Sequence, residues 1–281
     1  IYAYGEVLTT AARAEDARLA EEDARREVEF ITARRQVGDA TIFDQSLAEA
    51  EVARWAQTRS DMTIALARAR GRLSEITGEP VLETPPTPGV LQVPGARETL
   101  SEGFPKQVAE RSPAVRSTKA QATYYDANRE RLERDKWPAL NFIVNGGRGD
   151  VGEPRIGGGL SWTFPITRYN QGEIAVAAAQ RDRAAGLTAT LRNIVEARAR
   201  AALESYEASR KAIEEQDRVG LPAAQRVVDA AFASYRAGKG ELLRVFIARR
   251  DLVVARFRRL DFVLSAWASY GELAALKGAL P

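Results

Sequence analysis

A pattern that returns at fixed spacing obliges a chain to fold as copies of one unit. Here Gly38 and Gly238 mark the same point twice. Aligned on them, Ile42 and Phe43 meet Leu242 and Leu243, Leu47 meets Ile247, Ala48 meets Ala248, and Val52 meets Leu252. Each run then reaches a glycine at the same distance, Gly78 in one and Gly278 in the other. At a rise of about 1.5 Å per residue, each run is about 60 Å of helix. A glycine ahead of each run permits a tight reversal between antiparallel helices. The repeat therefore predicts two long helical hairpins with tips at Gly38 and Gly238.

The pattern after the second tip supports this. Phe246, Val253, Leu260 and Trp267 fall seven apart, and Leu243, Phe257 and Leu264 form a second predicted seam. Such a stripe buries a narrow face against a partner helix, as in a coiled coil. An ordinary helical bundle gives heptads too, but it does not require two segments of matched length. Composition agrees: 45% of the 281 residues are hydrophobic and only 7% aromatic, a bias toward closely packed helices.

Along the chain, helix is predicted from about Gly5 to Ile76, broken at Gln36-Val37-Gly38-Asp39, so that 1–78 forms a first helical hairpin. Pro80, Pro85, Pro86, Pro88 and Pro94 make 79–98 an extended linker, because dense proline removes backbone donors. Helix returns over 99–136 with a break at Ser112-Pro113, and 137–167 reads as a β-hairpin. The segment 168–281 is a second helical hairpin, kinked near Gly220-Leu221-Pro222 and turning at Ala237-Gly238-Lys239-Gly240.

The two strand segments are WPALNFIVNGG and IGGGLSWTFPI. In the second, Ile156, Leu160, Trp162 and Phe164 share a face with Gly158, while Ser161 and Thr163 point the other way. Alternation over roughly ten residues is the pattern of a barrel strand with an apolar lipid face and a polar lumen. Hairpin pairing then brings Trp137 toward Trp162 and Phe164, an aromatic belt at one membrane interface. A soluble hairpin docked on the helices is the alternative, but two isolated strands are marginal in water.

Much chemistry is excluded. Without cysteine or histidine there is no disulfide, thiol nucleophile, histidine triad or Cys/His zinc site. The 41 basic and 38 acidic residues are interspersed, which argues against nucleic acid as a partner. Gly238-Lys239-Gly240 lacks the Ser or Thr and the upstream glycine of a phosphate loop. Arg148-Gly149-Asp150 matches an adhesion tripeptide but falls in a Gly-rich hairpin loop. The acidic clusters Glu15-Asp16 and Glu21-Glu22-Asp23 read as a solvated face with arginine partners at i,i+4. No apolar run approaches the ~20 residues of a transmembrane helix, so a membrane crossing would be made by β-strands.

These segments resemble a known family. PITRYNQGEIAVAAAQ, from Pro165 to Gln180, is similar to the strand-to-helix junction of TolC-like outer-membrane efflux proteins, and closest to the heavy-metal and related tripartite-pump branch. Arg35–Ala50 and Tyr235–Leu252 resemble the two periplasmic tips of those channels. ERSPAVRSTKAQATYYDANRERLERDKWPAL looks like the stretch leading into their second hairpin. The resemblance spans nearly the whole chain.

It implies a mainly α fold with long antiparallel coiled-coil hairpins in the periplasm and transmembrane barrel strands. A homotrimer would form one tunnel, each protomer giving four strands to a twelve-stranded barrel in outer-membrane lipid. The tips would dock on a periplasmic adaptor (membrane fusion protein) held by an inner-membrane pump, making the protein a passive export duct with no enzymatic role and no cofactor. The tip residues so implied are Gly38, Asp39, Ala40, Thr41, Asp44, Gly238, Lys239 and Gly240, with Thr41 and Asp44 in a capping-box-like arrangement. Relatives carry acidic residues lining the aperture after the second tip, where this chain has Arg244 and Ile247. That departure puts cation selection in doubt and suits anionic cargo.

The helix from Gly172 to Gly238 also sets a length for its counterpart before Gly38, which would begin upstream of Ile1. The reading therefore expects the natural N-terminus, the N-terminal part of the first repeat and a first β-hairpin to lie upstream. Two rival roles share these features. The outer-membrane component of a type I protein secretion system has the same architecture, and neighbouring genes would separate it. A soluble coiled-coil scaffold would show no membrane partitioning.

Overall fold

The computed structural model describes residues 1–81, 103–135, 139–150, 152–163 and 170–277. Seven α-helices and two strands occur among them: α1 (Tyr2–Gln36), α2 (Ile42–Thr77), α3 (Phe104–Arg111), α4 (Pro113–Arg134), β1 (Ala139–Arg148), β2 (Pro154–Thr163), α5 (Gln171–Glu215), α6 (Leu221–Arg236) and α7 (Leu242–Lys277). The chain divides into two compact units. One holds residues 1–102 and 199–275, the other 103–198. Most of the linker at 79–98, with Trp137, Phe164 and Gly278, lies outside the described residues.

The repeat is present in the backbone. Helices α2 and α7 are each 36 residues long and start at equivalent positions after their turns. The turns are also the same. The Gly38 N–H donates to the Arg35 carbonyl at 3.0 Å and the Asp39 N–H to Arg34 at 2.8 Å; Gly238 donates to Tyr235 at 3.0 Å and Lys239 to Ser234 at 3.0 Å. This double bond pattern closes a helix only if the residue after its cap is left-handed, which glycine adopts without strain. Gly38 (φ +83°) and Gly238 (φ +70°) both do.

In the unit holding the tips, α7 belongs to every hydrophobic cluster described. Beside the tips, Leu242, Val245 and Phe246 pack with Ile31 of α1, Ala48 of α2 and Tyr235 of α6. Further along, Val253 meets Ala24 and Trp55, Ala248 and Leu252 meet Val228, and Leu260 and Val263 meet Leu8 and Ile213. At the far end α1 comes so close that a Cβ at Gly5 would stand 2.8 Å from Trp267. Between α5 and α7, Ser209 donates to Ser265 at 3.1 Å and Ser269 to Ser205 at 2.9 Å, which satisfies buried hydroxyls where small residues let the helices approach.

The heptad is half right. Phe246, Val253 and Leu260 are buried as expected, but Leu243 of the second predicted seam is 41% exposed, against 2% for Phe246. Helix α7 packs on α1, α2, α5 and α6 together, so its buried side is wider than one seam and is centred elsewhere. Its further rows run through Leu242, Arg249, Arg256 and Val263, and through Val245, Leu252 and Ala266. Arginines on this side find carboxyl partners across the interface: Arg249 lies 2.9 Å from Glu27, Arg256 lies 3.7 Å from Asp16, and Arg250, beside these rows, donates to Glu51 at 3.2 Å.

These pairs correct the reading of the acidic clusters. Glu15 and Glu22 do pair with Arg18 within one helix, as expected. Glu21 has its i,i+4 partner Arg25 at 2.6 Å but is buried, not solvated, and also ties α1 to α2 through Arg59 at 2.7 Å. Asp16 faces α7, and burial raises its carboxyl above the ordinary range. The expected kink at 220–222 is a π turn over Gln216–Gly220, in which the Leu221 N–H bonds back to the Gln216 carbonyl. Pro222 has no N–H to give, and the wider turn absorbs the missing α bond.

In the second unit, Val108, Ala109, Val115 and Leu132 of α3 and α4, with Ala177, Ala184 and Val195 of α5, are buried. Arg192 pairs with Glu110 at 2.8 Å. The same unit carries the hairpin β1–β2.

Because Phe246 fills the tip core and Leu243 does not, the two should separate in urea unfolding of the full-length protein. Phe246→Ala should cost about 3–5 kcal/mol and Leu243→Ala less than about 0.5 kcal/mol. Equal costs would contradict this packing.

Candidate functional site: an apolar hairpin face and two helical tips

Strands β1 and β2 pair antiparallel with Leu140 opposite Trp162, Phe142 opposite Leu160, Val144 opposite Gly158 and Gly146 opposite Ile156. All of these point to one face, because successive residues of a strand alternate. The other face carries Asn141 opposite Ser161, Ile143 opposite Gly159, Asn145 opposite Gly157 and Gly147 opposite Arg155. One side is thus a band of six bulky apolar side chains, and the other is mostly polar or bare.

That apolar band is exposed. Phe142 is 75%, Val144 79% and Ile156 86% accessible, and Leu140, Leu160 and Trp162 are also exposed. An apolar strand face left this exposed among the described residues is costly in water, at roughly 25 cal/mol per Å² uncovered. Among the described residues the sheet has only these two strands, so each also presents an unpaired edge. Two strands in this condition do not hold alone in water.

The turn is closed by the Gly149 N–H donating to the Glu153 carbonyl at 2.8 Å, and the Gly152 N–H to Gly149 at 2.9 Å. Arg148 ends β1, and Gly149 and Asp150 sit in this turn. Of the belt read from sequence, Trp162 lies on the apolar face; Trp137 and Phe164 are outside the described residues. Sequence reading took its face from β2 alone. The signal for the rest was present in β1, where Leu140, Phe142 and Val144 alternate with Asn141 and Asn145, but Ile143 interrupts the alternation.

The tips form the second element. Thr41 caps α2: its Oγ1 accepts the Asp44 N–H at 3.1 Å, and the Asp44 carboxylate accepts the Thr41 N–H at 2.9 Å. A reciprocal cap of this kind is worth about 1 kcal/mol and fixes where α2 begins. Ala40 packs against the tip core, while Val37, Ile42 and Phe43 are exposed around Gly38 and Asp39. Gly238 and Lys239 are exposed at the second tip, with Gly240 half-buried beside Ser234. Arg34 lies over the ring of buried Tyr235 at 5.1 Å and joins the two tips. Arg244 and Ile247 are both exposed, one turn apart on the same side of α7 as Leu243 and Val254.

No protein-family model and no curated protein matches the sequence. Solved structures do. CusC aligns with a TM-score of 0.80 at 16% identity, over 98% of this chain and 66% of that one. The outer membrane protein VceC from Vibrio cholerae gives 0.75 at 16% identity, over 98% and 68%. The Campylobacter jejuni CmeC outer membrane channel gives 0.73 at 16% identity, over 99% and 61%. The fold is that of the TolC-like outer-membrane channels. In this TolC-like fold, the two tips come from one repeated plan. The chain spans slightly less than two thirds of the CusC chain.

Proposed function

We propose that the chain is part of an outer-membrane channel subunit that serves a tripartite efflux pump as its passive export duct. One observation carries this reading: the exposed apolar face formed by Leu140, Phe142, Val144, Ile156, Leu160 and Trp162, on a hairpin whose two edges are open among the described residues. Hydrocarbon is the medium in which such a face is stable, provided that the edges pair with further strands. Pairing with strands of other copies meets both needs, and gives a homotrimer in outer-membrane lipid with a polar lumen behind Asn141, Asn145 and Ser161.

The helical hairpins then project into the periplasm, and their tips at Gly38–Asp44 and Gly238–Gly240 meet the adaptor that links to the inner-membrane pump. The channel needs no cofactor and catalyses no reaction; it offers passage. Exposed Val37, Ile42 and Phe43 at the first tip are side chains of the kind a protein partner covers. Arg244 and Ile247 take the aperture position. Without an acidic ring there, the aperture favours anionic cargo. A type I secretion component remains the second reading, since its duct has the same architecture.

Two outcomes follow for the full-length protein. Phe142→Arg puts a charge on the lipid face at a cost of about 2–4 kcal/mol, so outer-membrane insertion should fall more than tenfold, whereas Asn141→Arg on the lumen face should insert normally. Equal insertion of both variants, measured in washed outer-membrane fractions, would contradict the assignment of faces. In planar bilayers, Arg244→Asp should shift the reversal potential toward cation preference; an unchanged reversal potential removes Arg244 from the aperture.

A further inference from the structure

Behind the tips, α1, α2, α6 and α7 surround a cavity of about 220 Å³. Its walls include Trp55, Phe232 and Phe246, and five carboxylates, of Asp16, Asp23, Glu27, Glu51 and Asp229. Four of these are committed elsewhere. Asp16 pairs with Arg256 at 3.7 Å, Asp23 with Arg26 at 2.6 Å, and Glu51 with Arg250, whose Nε donates at 3.2 Å, while Asp229 accepts from Gln225 at 3.0 Å.

Glu27 is different. It is 6% exposed, its Oε2 lies 2.9 Å from the Arg249 guanidinium, and its Oε1 is buried without a hydrogen-bond partner. Arg249 is itself stacked on Phe232 at 5.8 Å. A carboxylate with one oxygen left dry is costly, and adding a proton to that oxygen relieves the cost.

We propose that Glu27 is a proton-binding site coupling protonation to the packing of α1 on α7 beside the tips, neutral while the helices are closed and ionised when they part. The inference goes beyond the channel reading and does not depend on it. The groups facing Glu27 set its direction. Asp23 stands one turn away on α1, Glu51 faces it from α2, Asp229 and Tyr235 from α6, and Arg249 from α7. Burial is the largest influence, Arg249 opposes it, and Asp23 and Glu51 add to it; together they push the carboxyl from 4.5 up to about 7.

The sign is the reverse of an acid-labile ion pair. The packed state binds the proton more tightly than the parted state, whose solvated carboxyl returns to its ordinary value. Packing is therefore fully supported below that ordinary value, and the support is lost as pH rises through about 7. Above it, Glu27 is charged in a dry site, and the relief available is water entering between α1 and α7. These 281 residues hold no histidine, so no imidazole among them responds in this range.

Amide exchange of α1 peptides covering Glu27, measured by mass spectrometry on the full-length protein and corrected for the intrinsic pH dependence of exchange, tests this. Between about pH 6 and about pH 8 the opening of this segment should rise about tenfold. Glu27→Gln, a neutral isostere, should exchange slowly at both values. Arg249→Gln removes the one influence favouring the charged form, so its rise over the same interval should be larger. Infrared titration should show a protonated carboxyl band lost near neutrality and absent from Glu27→Gln. Equal corrected exchange at both pH values in the unaltered protein, a rise that persists in Glu27→Gln, or faster opening at the lower pH would each overturn the proposal.

Discussion

The structure of the helical unit depends on the burial of α7 against four other helices at once. Every hydrophobic cluster described there contains α7 residues, from Leu242 and Phe246 at the tips to Leu260 and Val263 further along. A helix buried on so wide a side cannot keep all its inward positions apolar and still have polar neighbours in register. Here Arg249, Arg250 and Arg256 occupy inward or flanking positions, and each meets a carboxylate on α1 or α2. Such pairs add little net stability once desolvation is counted, but each is costly to mispair. They set the register of α7 against the first hairpin, and the apolar clusters supply most of the free energy.

The same economy appears at the tips. Two turns that share a pair of closing hydrogen bonds, with Gly38 and Gly238 left-handed, place α2 and α7 as equivalent arms of a repeat. The equivalence stops at packing. Ala48 and Ala248 are buried alike, yet Ile42 is exposed where Leu242 is buried. The arm that is buried within the chain is α7. Helix α2 keeps Ile42, Phe43 and Ile64 at the surface.

How far this was legible in the sequence varies with the physical origin of each feature. Element ends were readable because Gly38, Gly78, Gly238, Pro113 and Pro222 act locally, through φ or a missing N–H. The breadth of α7's buried side was not, because Arg249 and Arg256 read as surface until their partners on α1 are known. The burial of Glu21 and Glu27 was hidden for the same reason: a carboxylate near an arginine in sequence looks like a solvated helix pair. The barrel-like face was visible in β2, where Ile156, Leu160 and Trp162 alternate with polar or small residues. It was obscured in β1 by Ile143, and the strand register that joins the two halves is set by the Gly149–Glu153 turn. The tips could be located from the glycines, while the Arg34–Tyr235 contact between them depends on tertiary packing alone.

The central claim is that this hairpin face meets lipid. These 281 residues contain no cysteine, so Phe142→Cys is a single site within them for a fluorophore, any cysteine elsewhere in the full-length protein being replaced first. Reconstituted into vesicles whose acyl chains carry a quencher, that fluorophore should be strongly quenched and shielded from a water-soluble quencher. A probe at Asn141→Cys should behave in the opposite way. Quenching of the Phe142→Cys probe from water, with none from the acyl chains, would contradict the account.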